Sequence, residues 1–267
     1  MTKCAFFIVL VISVATSAQT VRTTPGSEAE LAQITERGRK LAEYDVAAWH
    51  ATDAVLALQP APGSVVNYIA KRTGDSWTVV FGRLNEAGDK FLISYEAVQG
   101  STPKEFKAAK VGPPREDAGY FLFAARAVNL SAADFKGEGG PYNTAVLPAP
   151  SDQFYVYIIP AQTQNGVYPL GGDARYLISA DGLKVLEKRQ MHKAIIEFSA
   201  PDNVQTGFHT AVMDEIPEDS DVFHVLARKP SVPELIVTRL FVYQVEPDGK
   251  IRYLMTWEAF RKLKSPR

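Results

Sequence analysis

The first pattern in the chain is a long helical repeat of apolar positions. Ser27, followed three residues later by Glu30, has the form of a capping box, which marks the start of a helix. Apolar side chains then recur at three- and seven-residue spacings, at Leu31, Ile34, Leu41, Ala48 and Val55. A stretch rich in proline follows at 60–63. The pattern predicts one amphipathic helix from Ser27 to about Leu58, with a break near Gly38 as an alternative.

Strand patterns replace the helical pattern after residue 64. Three runs rich in β-forming residues are separated by turn residues, at 65–71, 77–84 and 90–98. They predict a three-stranded antiparallel meander. Residues 101–115 are polar and contain prolines, so we expect a connection there. A second helical pattern covers 116–135, and the glycines and prolines of 137–150 predict a loop.

The C-terminal half is dominated by strand patterns. Asp181-Gly182 and Asp248-Gly249 each lie between two β-rich runs and predict two hairpins. Further elements are expected as strands at 154–160, 191–198, 206–213 and 222–228, and as a short helix at 257–264. Helices and strands are segregated along the chain. This predicts an α+β fold class, with a long N-terminal helix and a second helix packed on predominantly antiparallel sheet.

Residues 1–18 have the three parts of a secretory signal peptide. Lys3 supplies the positive start, residues 4–15 form a mostly apolar run, and the small residues Thr16 and Ala18 fit cleavage after Ala18. The apolar run is shorter than the roughly 20 residues that a membrane-spanning helix needs. We therefore expect an exported protein, periplasmic or secreted, with a bacterial host preferred.

Cleavage would leave a mature chain, 19–267, without cysteine, because Cys4 is the one cysteine. Loss of Lys3 takes Lys plus Arg from 29 to 28, against 30 acidic residues, which gives a net charge of −2. A near-neutral chain lacks the basic patch that nucleic acid binding requires, and no second run reaches membrane-spanning length. We predict a single exported α+β domain, with two lobes, 27–136 and 151–267, as the alternative.

Strong catalytic motifs are absent from the sequence. It contains no phosphate-binding loop, no dinucleotide fingerprint, no H-E-x-x-H and no G-x-S-x-G, and the mature chain offers no thiol nucleophile. The catalytic residues therefore stay unknown. The absence of these motifs favours a non-catalytic extracytoplasmic binding or assembly module, whose partner is a protein or a small-molecule ligand.

Three of the four histidines lie in the β-rich C-terminal half: His192, His209 and His224. Residues two apart share a face of a strand, and each histidine shares its predicted face with apolar residues. If the strands are neighbours, three imidazoles converge and bind zinc or copper, with Glu197 or Asp214 as an additional partner. A metal-binding protein or metal-dependent hydrolase is therefore the alternative function. Scattered structural histidines explain the same pattern.

The segment 214–221 holds five acidic residues. Oxygen-rich loops bind calcium, but the spacing here does not match the calcium-loop pattern, and Pro217 stiffens the backbone. We expect a solvated acidic turn between two strands.

One face of the first helix carries Asp45, Trp49 and Asp53, with His50 three residues before Asp53. A carboxylate–imidazole pair on a helix can orient the ring for general base work. A metal-free hydrolase using His50 or His209 is therefore a further hypothesis. The simpler interpretation is a polar helix face with one anchoring tryptophan.

Overall fold

The computed structural model describes residues 22–137, 139–199 and 203–264. The predicted signal peptide, residues 1–18, lies outside the described residues. Helices and strands occupy separate stretches, and all strand pairs but one are antiparallel, so the α+β class is confirmed. Within the described ranges, no helix combines the length and the apolar composition needed to cross a bilayer.

The long N-terminal helix is confirmed as α1 (Glu28–Leu56). The Ser27 hydroxyl accepts a hydrogen bond from the Glu30 amide at 3.3 Å, and the Glu30 carboxylate accepts one from the Ser27 amide at 2.9 Å. This capping box satisfies backbone donors that a helix start leaves free. The five apolar positions predicted to share a face are all buried: Leu31, Ile34, Leu41, Ala48 and Val55.

The first sheet is an antiparallel meander of four strands. In sequential order they are β1 (Asn67–Thr73), β2 (Ser76–Leu84), β3 (Phe91–Gln99) and β4 (Phe106–Asp117). The connection expected at 101–115 is therefore wrong, because β4 runs through most of it. Pro113 and Pro114 fit this strand because β4 is an edge strand and its pairing with β3 shifts register next to them.

The second predicted helix is confirmed as α2 (Tyr120–Asp134). The loop expected at 137–150 is wrong, because it contains β5 (Tyr142–Pro148). Glycine and proline lie at the two ends of this strand, and its middle residues, Ala145, Val146 and Leu147, are buried. The glycine and proline residues therefore mark the ends of the strand and do not turn the whole segment into a loop.

The remaining strands build three sheets. They begin with β6 (Phe154–Pro160), β7 (Val167–Gly171), β8 (Ala174–Ile178), β9 (Val185–Gln190) and β10 (Ile195–Ser199). They continue with β11 (Gly207–Thr210), β12 (Glu234–Val237), β13 (Phe241–Val245) and β14 (Ile251–Thr256). The sheet orders are β5-β6-β8-β9, β7-β10 and β11-β12-β13-β14.

Both Asp-Gly hairpins are confirmed. β8 pairs with β9 across Asp181-Gly182, and β13 pairs with β14 across Asp248-Gly249. The two glycines have φ of 76° and 85°, the left-handed region that these turns require. The C-terminal helix is confirmed as α4 (Trp257–Lys264).

The strand expected at 222–228 is wrong, because this segment belongs to the helix α3 (Asp219–Ala227). A short continuous apolar run does not by its periodicity separate a buried strand from a buried helix. Here the helix is set by its start, where the Glu218 and Asp221 side chains form a capping box. The change from strand to helix alters which side chains share a face.

Two apolar cores run along α1. The larger one lies between α1, α2, the first sheet and the sheet that begins with β5. The smaller one joins Leu31 and Ile34 of α1 to Val222 and Val225 of α3 and to strands β12 to β14. Gly38 is where α3 crosses α1, since a side chain there would collide with Val222. Because α1 packs in both cores, it fixes α3 relative to the first sheet. The division into one domain or two lobes stays a prediction.

Candidate metal centre

Three buried side chains converge at the junction of three segments. His192 precedes β10, His209 lies on β11, and Asp221 lies in the first turn of α3. Asp221 Oδ1 is 3.1 Å from His192 Nε2 and 3.0 Å from His209 Nε2. All three atoms lie within 4.8 Å of one another. The relative exposures of the three residues are 7%, 4% and 1% in the same order.

The capping box of α3 aims the Asp221 carboxylate. One oxygen, Oδ2, accepts the backbone N–H of Glu218 at 2.7 Å. The second oxygen, Oδ1, is thereby left facing the two imidazoles. The same residue thus starts the helix and contributes an atom to the cluster.

A carboxylate lies behind each imidazole. Asp173 Oδ1 is 3.0 Å from His192 Nδ1 and also accepts the His192 backbone N–H at 2.9 Å. Glu234 Oε1 is 3.0 Å from His209 Nδ1. Gly207 leaves room for that carboxylate, since a side chain there would collide with it. A carboxylate that accepts from Nδ1–H holds the lone pair on Nε2, and metal-ligating histidines use this arrangement.

The three converging atoms lack hydrogen-bond partners. His192 Nε2, His209 Nε2 and Asp221 Oδ1 are buried, and none makes a hydrogen bond of acceptable geometry within the described part of the chain, despite separations of 3.0–3.1 Å. Buried polar atoms are rarely left in this state. With metal–ligand bonds of about 2.1 Å, atoms this far apart subtend roughly 90–95° at a shared ion. The two carboxylate–imidazole separations are therefore compatible with a shared ion, and also with direct ion pairs between Asp221 and protonated imidazoles.

The charges around the cluster also favour a cation. Asp173, Asp221 and Glu234 carry three negative charges, and Arg228 is the cation that binds Glu234, at 2.5 Å. With neutral imidazoles the group carries two excess negative charges, which one divalent ion neutralises. Two protons on the imidazoles would give the same balance.

The pKa values follow from this crowding of carboxylates. Burial alone would lower the pKa of both imidazoles, but Asp173 and Asp221 raise the pKa of His192 well above its usual value. Asp221 and Glu234 likewise outweigh burial and raise the pKa of His209 to about 9. Burial raises the pKa of Asp221, but the two imidazoles hold it well below its ordinary range. The pocket therefore attracts positive charge in either form, proton or metal.

His224 lies one turn of α3 beyond Asp221 and outside the donor group. Its Nε2 is 3.3 Å from Nη1 of Arg228, and its ring packs on Phe198 with centroids 4.9 Å apart. Burial and the Arg228 charge lower the pKa of His224 to about 4. The structure therefore brings His192 and His209 together with Asp221 and places His224 in the surrounding network.

The acidic segment 214–221 is not a solvated turn, so that expectation is wrong. Four of its acids are at most 4% exposed: Glu215, Glu218, Asp219 and Asp221. Three of them pair with arginines from other segments: Glu215 with Arg239, Glu218 with Arg189, and Asp219 with Arg37 and Arg175. The run of acids is the buried, cross-linked start of a helix, and sequence reasoning missed Asp221 for this reason.

The other carboxylates named from the sequence lie elsewhere. Asp214 binds Arg189 at 2.8 Å, and Glu197 is exposed on β10. On α1, the His50 ring stacks on Trp49 at 5.1 Å, while Asp53 is exposed.

The missed signal for Asp221 was the capping pair Glu218–Asp221 ahead of the apolar run 222–226, which is typical of a helix start.

No protein-family model matches this sequence, and no match was found among curated proteins or solved structures. The function proposed below is based on the geometry of the centre and on the sequence.

Proposed function

We propose that this chain is a metal-binding protein that holds one divalent transition-metal ion between His192 Nε2, His209 Nε2 and Asp221 Oδ1. The observation that supports it most is the convergence of three buried donor atoms that have no hydrogen-bond partner in the described residues. The carboxylates Asp173 and Glu234 add the outer contacts that metal-ligating histidines use.

The donor set defines the class of metal. Two imidazoles suit zinc, copper or iron, whereas magnesium and calcium prefer sets of oxygen atoms. Zinc binds histidine nitrogen and carboxylate oxygen at about 2.0–2.2 Å, and a set of two histidines and one carboxylate is also typical of iron(II) sites. We therefore favour zinc, with iron(II) next and copper as the further alternative.

The burial of the donors favours a structural role for the ion. At 7% exposure or less, the three ligands offer little surface to a substrate. An ion here would join the segment before β10, the strand β11 and the helix α3. We propose that it fixes these elements to each other. A metal-dependent hydrolase would also need access for a substrate to a position that three protein donors leave open.

We also propose that the protein is exported, through the signal peptide predicted at residues 1–18. The sequence of that segment supports the proposal by its positive start, apolar run and small residues. The ion would then be acquired outside the cytoplasm, by a chain without thiol ligands.

The direct test is the metal content of untagged mature chain, residues 19–267, after reconstitution with zinc and removal of excess. Elemental analysis should give about one zinc per chain. His192→Ala and Asp221→Asn should each lower the content to background, whereas His50→Ala on α1 should leave it unchanged.

The outcome also separates two ligand sets. Loss of zinc in Asp221→Asn with retention in His224→Gln supports the set proposed from the geometry. Loss in His224→Gln with retention in Asp221→Asn would restore the three-histidine set. Background zinc, iron and copper in reconstituted wild type would refute the metal-binding function.

A further inference from the structure

A second candidate site lies far along α1, in a cleft of about 600 Å³. Its walls come from α1, β1, β2, β5 and the loop between β6 and β7. The residues that matter for its chemistry are Asp45, Trp49, Tyr68, Phe81, Asn143 and Gln162. The volume is in the range of small-molecule sites, which usually combine apolar and aromatic walls with a few polar groups. None of these residues belongs to the proposed metal centre.

Asp45 is the one charged side chain among the lining residues. It makes no hydrogen bond and no ion pair within residues 22–137, 139–199 and 203–264, whereas the buried acids Glu218, Asp219 and Glu234 all bind arginine. Burial raises the pKa of Asp45 to about 6, so the carboxyl is ionised at neutral pH. The side chain is half-buried, so water hydrates its accessible part, and no lining residue brings a positive charge to it.

Three aromatic rings share the cleft with Asp45. Trp49 lies one turn further along α1 and is 61% exposed, although its ring stacks on His50. The Tyr68 hydroxyl donates to the Thr144 carbonyl at 2.9 Å, so this phenol is already engaged and offers its ring. Phe81 is 3% exposed and packs on the Tyr68 ring at a centroid distance of 6.4 Å, so it supports that ring and presents little surface of its own. The remaining polar groups of the lining, Asn143 and Gln162 among them, are uncharged.

A carboxylate beside several aromatic rings is the chemistry that recognises an organic cation. The carboxylate supplies the opposite charge, and the ring faces attract a positive group whose methyl or methylene surface they also cover. We propose that this cleft binds a small alkylammonium ligand, with its cationic head between Asp45 and Trp49. The site gives the predicted binding-module function a location, independently of the metal centre.

The test compares two probes of the same shape and different charge. Choline and its uncharged analogue 3,3-dimethylbutanol are titrated into the mature chain by calorimetry, with the metal centre both loaded and stripped. We expect saturable binding of choline, at least tenfold tighter than binding of the alcohol, in both forms. Equal affinity for the two probes would overturn the proposal, and so would absence of saturation by choline up to about 100 mM, where even a ~1 mM site is filled.

Substitutions in α1 test whether choline binds in the cleft. Asp45→Asn keeps the size of the side chain and should weaken choline at least tenfold without altering the alcohol, and Trp49→Ala should weaken choline as well. Asp53→Asn is the matched control, because this exposed acid of α1 lies outside the cleft lining. Unchanged choline affinity in folded Asp45→Asn, or tighter binding of a neutral sugar such as glucose than of choline, would contradict the assignment.

Discussion

At the scale of single residues, the proposed metal centre depends on side chains that would not touch the ion. Asp173 accepts one hydrogen bond from the ring of His192 and another from its backbone N–H, so two contacts fix the orientation of the imidazole. Glu234 joins His209 to Arg228 and thereby links the centre to the buried guanidinium. These carboxylates set which nitrogen of each ring faces inward.

Replacement of Asp173 should therefore weaken metal binding without removing a ligand. We expect Asp173→Asn to lower zinc affinity about 10–100-fold, the usual cost of losing such an outer carboxylate. Competition with a chromophoric chelator measures the change. The control is Glu197→Gln, which alters an exposed acid on β10 close in sequence. Wild-type affinity in a folded Asp173→Asn variant would show that this carboxylate does not orient the ligand.

The unpaired carboxyl of Asp45 should also affect stability, with a defined pH dependence. Its pKa rises from 3.8 to about 6 on folding, so the folded chain holds the extra proton between these values. The wild type should therefore lose stability, relative to Asp45→Asn, as pH rises from about 4 to 6. Above pH 6, the free energy of unfolding of the wild type should remain about 1–3 kcal/mol below that of Asp45→Asn. Denaturant unfolding of both proteins at pH 4 and pH 8 measures it, and an equal difference at both values would contradict the account.

At the scale of elements, α3 connects the proposed metal centre to the rest of the fold. Its first turn carries Asp221, and its apolar side packs on α1 where Gly38 allows close approach. The buried Asp219 at its start binds Arg37 of α1 and Arg175 of β8 at 2.9 and 2.6 Å. The position of Asp221, one of the proposed metal ligands, is therefore set by contacts of α3 with two other elements.

A methyl group at Gly38 should push α3 away from α1. Alanine is the better helix former, but the added carbon would collide with Val222 and with the Asp219 carbonyl. We expect Gly38→Ala to cost about 1–3 kcal/mol of unfolding free energy, as overpacking does, and to weaken zinc binding. Glu36→Ala, an exposed change on α1, serves as the control. Greater stability in Gly38→Ala than in wild type would show that this crossing tolerates a side chain.

The elements differ in how well the sequence predicted them, for physical reasons. Helix α1 and the two Asp-Gly hairpins carry local signals, a capping box with a helical repeat and a turn that demands glycine, so they were predicted. Strand β4 was missed because an edge strand tolerates prolines, and α3 because its short apolar run fits either element.

The site was predicted in part for a similar reason. His192 and His209 were selected as histidines on the inward faces of neighbouring strands. The structure brings them together, but His192 precedes β10, and β10 and β11 lie in different sheets. Asp221 was missed because acidic runs usually face water, whereas its neighbours Glu218 and Asp219 are buried in pairs with Arg189 and Arg37, which are distant in the chain. Such long-range pairing leaves no pattern in a single sequence.

At the scale of the whole molecule, the proposed ion would close a junction between separate parts of the chain. The segment before β10, the strand β11 and the helix α3 supply its ligands, and α3 also packs in the smaller core. An ion that binds only the folded state stabilises it by mass action. No disulfide within the chain does this, since Cys4 is the one cysteine of the sequence.

Removal of the ion should therefore lower thermal stability. At a free zinc concentration about 100 times Kd, binding adds about 2.7 kcal/mol, which for a chain of this size corresponds to roughly 5–10 °C in Tm. Calorimetry of reconstituted and chelator-treated protein measures the shift. The His209→Ala variant should show the lower Tm in both conditions. A shift of equal size in that variant would assign the stabilisation to zinc bound elsewhere.

Anomalous diffraction at the zinc edge from crystals of the reconstituted chain would locate the ion directly. We expect one strong peak at about 2.0–2.2 Å from His192 Nε2, His209 Nε2 and Asp221 Oδ1. Asp173 and Glu234 should remain on the outer nitrogens of the two rings. A fully reconstituted crystal with no peak between these three atoms, or with its peak on His224, would contradict the proposed centre.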